Sequence, residues 1–465
     1  VDRDESITAQ TGRKQDRTII VVLLVDVAWF AWDKFGISPE PAPATAEVTE
    51  TTDEPAPEPR NATVDNSVAV LPFVAMSSGP DDEYFADGIT EEILNSLAQL
   101  PELLVTARTS AFSFKGQDLP IQEIAAMLGV QHVVEGSVRR SGERLRVTAQ
   151  LIRAEDGFHL WSENYDSTSA DMIEVQENIA EKIASALDVV LDENKREAMR
   201  QAGLRNPEAF TLYQKGMDYF ERAHGQMDQL EGLRLANGYF EQVMDRVPEY
   251  WEVYANHSDL YAHLLNDVLT NQFEGHITEE ALAEAYRSML ADYEAASQYA
   301  PTDRQRYLAE LDLAFLNGNW RGIAGRLEKA LADTGCRDGN WTATVSNVLG
   351  YSAEYSELAD KVLACDPLRS LSWFNASRAK FWAGDAEGAL QVAREGFEVA
   401  PGTWLTMTLL QTLMANGLHD EAHAVIDDEI QVEGFANVFH VMVEAHRGNP
   451  DRLAPLVDAL DLDDR

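Results

Sequence analysis

The feature that most constrains this chain is a series of prolines that punctuates helical periodicity across its second half. From residue 207 to 460 apolar residues recur at helical spacing without strand-like alternation, and Pro207, Pro248, Pro301, Pro367 and Pro401 interrupt them. Proline ends a helix because it lacks an N–H and its ring clashes with the preceding turn. Pro367 and Pro401 lie 34 residues apart, and Pro301 and Pro367 lie 66 apart, close to two such units. The earlier intervals of 41 and 53 imply insertions. A period of this length is that of a helix pair that cannot bury its apolar face alone and stacks on its neighbours. The pattern predicts an all-α solenoid over 207–460.

Residues 67–192 read differently. Ser67–Met76 is a β-rich apolar run, and 82–100 carries Ile89, Ile93, Leu94 and Leu97 at helical spacing. A short strand at 103–107 and a short helix at 120–128 follow. Three extended stretches come next, at 131–140, 144–152 and 158–165, with a hairpin turn at Ser141-Gly142-Glu143. A helix over 172–191 closes the unit. The order β-α-β-α-β-β-β-α implies a mixed α/β sheet with helices packed on it. Each part has its own apolar pattern, so each is expected to fold separately, with a boundary near 195–206.

The amino-terminal residues predict an anchor. Thr18–Trp32 is apolar apart from Asp26, is preceded by Arg13, Lys14 and Arg17, and extends to the length of a short spanning helix at 18–36. Basic flanks mark the cytoplasmic side, so 1–17 reads as a cytoplasmic remnant and 37–465 as periplasmic, on a single-pass inner-membrane protein. A mid-helix carboxylate such as Asp26 opposes insertion by about 2.5–3.5 kcal/mol. Residues 37–66 hold six prolines and seven carboxylates and read as an extended spacer.

Charge excludes one class of partner. The 79 acidic and 37 basic residues give a net charge of −42, which repels phosphate backbones and argues against nucleic acid. The two cysteines, Cys336 and Cys365, are too few for a disulfide scaffold or a zinc site. A bond between them is possible in an oxidising compartment, and two buried thiols are the simpler reading.

The stretches AVLPF (69–73), EYFADGITEEI (83–93), ARTSAFSFKG (107–116), VVEGSVRRSGERLRVTAQLI (133–152) and HLWSENYD (159–166) resemble the TolB-like amino-terminal α/β domain. The later region resembles tetratricopeptide repeats: Trp373, Ala389 and Pro401 fall at motif positions in Ser370–Thr403, Tyr307 does so in Arg304–Arg337, and Ala236, Phe240 and Pro248 do so in an earlier unit. Gly384-Asp385 and Gly318-Asn319 supply the turns within the pairs. This combination resembles the sensor-like halves of bacterial membrane regulators, whose other part is an adenylyl cyclase or a winged-helix domain. The segment at 1–17 resembles sequence that precedes a last membrane helix in relatives with further upstream helices.

The resemblance implies no catalytic residues and no cofactor. It implies a protein or peptide partner on the face lined by the first helix of each pair, at its second, fifth, ninth and twelfth positions. These are Leu371, Phe374, Arg378 and Phe381 in one unit, and Gln305, Leu308, Asp312 and Phe315 in another. Other clusters read as structural. Asp82, Glu83, Asp87, Glu91 and Glu92 suit a solvated helix start. Arg139, Arg140, Arg144 and Arg146 suit cross-strand pairing. His419 and His423 are four apart on a helix, but no third metal ligand is evident. The expected function is therefore a non-catalytic protein-binding module or scaffold, with the sensor half of a signalling protein as the setting the resemblance implies. The alternative is a fragment of a membrane adenylyl cyclase or transcriptional regulator whose active domain lies upstream or on another chain.

Overall fold

In a computed structural model, the structure describes residues 66–79, 81–142, 144–168, 172–224, 229–269, 278–332, 336, 342–430, 433–448, 452–453 and 455–456. The expected anchor at 18–36 and all of the spacer but Asn66 lie outside them. Among the described residues no helix is long and apolar enough to cross a membrane. The fold class is thereby corrected to a mixed α/β sheet domain followed by a helical region. The membrane-spanning element and the inner-membrane, periplasmic placement built on it are not upheld.

The sheet domain comprises β1 (Ser67–Val70), β2 (Val74–Ala75), α1 (Asp82–Leu97), β3 (Leu104–Val105), α2 (Arg108–Phe112), α3 (Ile121–Leu128), β4 (His132–Ser141), β5 (Arg144–Arg153), β6 (His159–Thr168) and α4 (Met172–Ala186). The strands run in the order β3-β1-β4-β5-β6, with β2 also on β4. The contacts of β1 and β2 are parallel, while β4, β5 and β6 form an antiparallel meander. Side chains alternate across a strand. Val68 and Val70 of β1 therefore enter the core against α1 and α4, while Ala69 and Leu71 enter a second core beneath α3. Burial on both faces explains why β1 reads as an unbroken apolar run. The single strand expected at 67–76 is split in two, and α2 was absent from the expected order.

The helical region begins with α5 (Glu193–Ala202), α6 (Pro207–Ala223), α7 (Gln229–Arg246), α8 (Trp251–Leu269) and α9 (Glu279–Tyr299). It continues with α10 (Asp303–Asn317), α11 (Ile323–Ala332), α12 (Thr342–Leu349), α13 (Ser352–Cys365) and α14 (Ser370–Trp382). The last helices are α15 (Ala386–Val399), α16 (Thr403–Ala415), α17 (His419–Glu429) and α18 (Glu433–Arg447). Local chemistry fixes the helix ends. Asn206 caps α6 by accepting from the backbone N–H groups of Glu208 and Ala209, with Pro207 in the first turn. Asp385 caps α15 through the Gly388 N–H, and Gly384 supplies the positive φ of 91° between α14 and α15. Cys336 and Cys365 form a disulfide, with Cα atoms 5.8 Å apart, so the simpler reading of two free thiols is replaced.

The sheet domain and the helical region belong to one compact unit. Helix α1 joins them. Its acidic cluster is not a solvated helix start, because Asp82, Asp87, Glu91 and Glu92 are all buried. Lys115 pairs with Glu83 and Asp87. Glu91 accepts from Arg108 Nε at 3.1 Å and from Gln214 Nε2 of α6 at 3.0 Å. Arg108 also pairs with Glu221 at the end of α6. Glu92 accepts from the Leu204 N–H at 3.1 Å. A second contact lies far along the chain. Ala107 N–H donates to the Cys365 carbonyl at 2.8 Å, Ser110 Oγ to Asp366 at 2.6 Å, and the Leu368 N–H to Ser110 Oγ at 2.9 Å.

Burial raises the Glu92 carboxyl to about 8, against the opposing pull of the Leu204 N–H. The unfolded chain ionises this group near 4.5. Folding is therefore favoured below that value, and the contribution is lost as pH rises towards 8. Glu92→Gln stays neutral and its carbonyl can still accept from Leu204. It is expected to stabilise the fold by about 2 kcal/mol at pH 7 and to flatten the pH slope. Urea unfolding at several pH values between 5 and 8 checks this; an unchanged slope in the variant would exclude the assignment.

Candidate protein-binding face

Helix α14 carries one face of large side chains. On α14, Leu371, Phe374, Arg378 and Trp382 follow helical spacing and share a side. The Arg378 guanidinium lies 3.9 Å above the Trp382 ring and 5.3 Å from the Phe374 ring centre. Phe374 in turn meets Trp404 of α16 with centroids 5.9 Å apart. Three apolar side chains around this group remain open to solvent: Leu371 at 37%, Trp404 at 57% and Met407 at 40%. The opposite side of α14 is core. Trp373 is buried, and its indole N–H donates to the Pro367 carbonyl at 2.6 Å. Helix α14 thus uses one tryptophan for the fold and places another beneath a cation.

Arg378 is half-buried, and no carboxylate of the described residues lies within ion-pair distance of it. Burial pushes its guanidinium down to about 10. Ring faces attract a cation, but they offer its N–H donors no lone pair. In a chain with 79 acidic residues, a guanidinium with no carboxylate of the described residues in reach offers a planar donor fork. Such a fork fits a carboxylate in two parallel hydrogen bonds.

The other expected binding residues are placed differently. Phe381 is half-buried beside this face. Leu308 and Asp312 of α10 are buried, so they present no surface to a partner. Phe315 is half-buried against the core of its unit, edge-on to Trp320 at 5.9 Å, and Gln305 is engaged in the Thr302 cap of α10. The structure therefore brings Phe374 and Arg378 together, leaves Phe381 half-buried on the same helix, and buries Leu308 and Asp312. Sequence reasoning missed Trp382, Trp404 and Met407. The one available signal was Trp404, a large aromatic in the first turn of a helix whose apolar core positions were already filled by Leu405 and Leu409.

The remaining clusters resolve locally. Arg146 forms a bidentate pair with Asp166 across β5 and β6 at 2.6 and 2.8 Å. His419 and His423 reach onto α18 rather than towards a common point: His419 meets His446 at 3.0 Å, and His423 meets His440 at 2.6 Å and Glu444 at 2.8 Å.

No family model matches the chain. The chain is 44% identical over 146 residues to a Rhizobium meliloti (strain 1021) protein named "Putative adenylate cyclase 3". The match covers 31% of this chain and 25% of that relative. The TolB-like and tetratricopeptide resemblances gain nothing from these comparisons and give way to the coarser description, a sheet domain followed by a helical region. The association with adenylate cyclases is the part that stands.

Proposed function

We propose that this chain is a non-catalytic module that binds a protein segment on the face formed by α14 and α16, in the service of a signalling protein of the adenylate cyclase kind. The half-buried Arg378, stacked on Trp382 and Phe374 with no carboxylate of the described residues in ion-pair reach and bordered by exposed Trp404, Leu371 and Met407, carries the reading. Aromatic and arginine anchors in a partly desolvated patch supply most of the energy at protein interfaces. The complementary segment offers a carboxylate to the guanidinium and apolar side chains to the aromatic rim. The partial similarity to the Rhizobium protein supports the signalling context. It also favours a second reading, in which this chain is the regulatory part of a protein whose cyclase or DNA-binding domain lies elsewhere.

The full chain, used as bait in cells of its source and crosslinked, is expected to retain a partner that Arg378→Ala binds about 1–3 kcal/mol more weakly. Trp404 is largely exposed, so Trp404→Ala is expected to weaken binding by a similar amount with the thermal transition nearly unchanged. A partner held equally well by both variants would exclude this face. Incubation with ATP and magnesium is expected to yield no cyclic nucleotide from the chain alone; its formation would overturn the non-catalytic reading.

A further inference from the structure

We propose that His224, Asp259 and His263 form a binding site for a zinc-class divalent ion that ties the end of α6 to α8. The site is distinct from the α14–α16 face. Asp259 and His263 stand one turn apart on α8, where an i, i+4 pair shares a side. His224 is the residue that ends α6. Asp259 Oδ2 lies 3.1 Å from His224 Nε2 and 3.6 Å from His263 Nε2, and the three donor atoms all lie within 4.8 Å of one another. A tetrahedral ion with bonds of about 2.0–2.1 Å sets its donors roughly 3.3 Å apart. The cluster needs only small side-chain rotations to reach that spacing.

The surroundings orient the donors. His224 Nδ1 is 2.7 Å from the Phe220 carbonyl oxygen, so it carries the proton, and the Phe220 ring packs on the imidazole at 4.8 Å. An imidazole anchored through one nitrogen presents the other as a lone pair, the usual outer support of a histidine ligand. That lone pair faces Asp259 Oδ2, a buried oxygen with no hydrogen-bond partner. Two electron-rich atoms at 3.1 Å call for a cation between them: either a metal ion or a second proton on His224. His263 Nε2, 3.6 Å from the same oxygen and 3.4 Å from Gln229 Nε2, is the third donor that completes a metal set. Two nitrogens and one carboxylate suit zinc and its transition-metal neighbours, whereas magnesium and calcium prefer all-oxygen sets. Three protein donors leave a fourth position for water. The net charge of −42 favours a cation, while Arg369 acts on His224 against one.

The test uses the full chain, stripped with EDTA and titrated with zinc alone by calorimetry, and with cobalt(II) followed by visible absorption. The expected result is one zinc per chain, a raised Tm and the absorption of four-coordinate cobalt. Asp259→Asn and His263→Gln should each weaken zinc binding by about tenfold or more, with the far-ultraviolet circular dichroism unchanged. The double variant His419→Ala/His423→Ala should bind zinc as the parent does. Zinc binding that survives Asp259→Asn and His263→Gln, or that is lost with His419 and His423, would place the ion elsewhere and overturn the proposal. Absence of zinc binding and of any rise in Tm would overturn it too, leaving a His224–Asp259 ion pair.

Discussion

Gly88→Ala is expected to destabilise the chain by about 3 kcal/mol and to loosen α1 from α6. A Cβ at position 88 would lie 2.0 Å from Phe210 Cζ and 2.4 Å from its Cε1. Phe210 is the ring with which α6 covers α1, and it also meets Phe85 edge-on at 6.4 Å. Alanine is intrinsically the better helix former by about 1 kcal/mol, so the observed loss is overpacking less that gain. The ring cannot retreat freely, because it is buried within the core of α6, α7 and α8. Phe210→Leu in the Gly88→Ala background should restore part of the loss, since leucine vacates the contested space. Urea unfolding of both single variants and the double variant checks the coupling. Additive effects would show that the two positions do not meet.

Replacing Cys336 and Cys365 together by serine is expected to cost about 3 kcal/mol. The bond closes a loop across 29 residues of sequence, and loop closure in the unfolded chain accounts for a loss of that size. The effect should reach beyond the helical region. Cys365 is buried, its carbonyl accepts from Ala107, and the next residues receive Ser110. Freed at Cys365, this loop should hold α2 less firmly. Amide hydrogen exchange is then expected to rise at Ala107 and Leu368 as well as around residue 336. A rise confined to residues near 336 would separate the disulfide from the α2 contact.

These two predictions also show what could be read in the sequence. The three long strands and the sheet-domain helices other than α2 were legible because alternation and helical spacing are local signals. Gly384 and Asp385 act where the sequence placed a turn. The acidic cluster on α1 was not legible. Asp87, Glu91 and Glu92 look like a solvated helix start until Arg108, Lys115, Gln214 and the Leu204 N–H arrive from distant elements. The disulfide depends on α13 ending where Cys336 comes near, which sequence separation does not encode. Phe374 and Arg378, expected to share a face by their spacing, do lie on one side of α14. Trp404, on a later helix, meets Phe374 without any signal in the spacing of α14, and Leu308 and Asp312, at the same positions of α10, are buried. The histidines of α17 attracted notice through their spacing. His224 did not, because its companions Asp259 and His263 lie two helices away.

The most direct test of the binding reading is a photo-reactive amino acid at position 371, at the exposed edge of the Arg378 face. Irradiation in cells of the source should give one reproducible adduct with a second protein, and Arg378→Ala in the same chain should remove most of it. No adduct at 371, or an adduct undiminished by Arg378→Ala, would contradict a binding role for the face of α14 and α16.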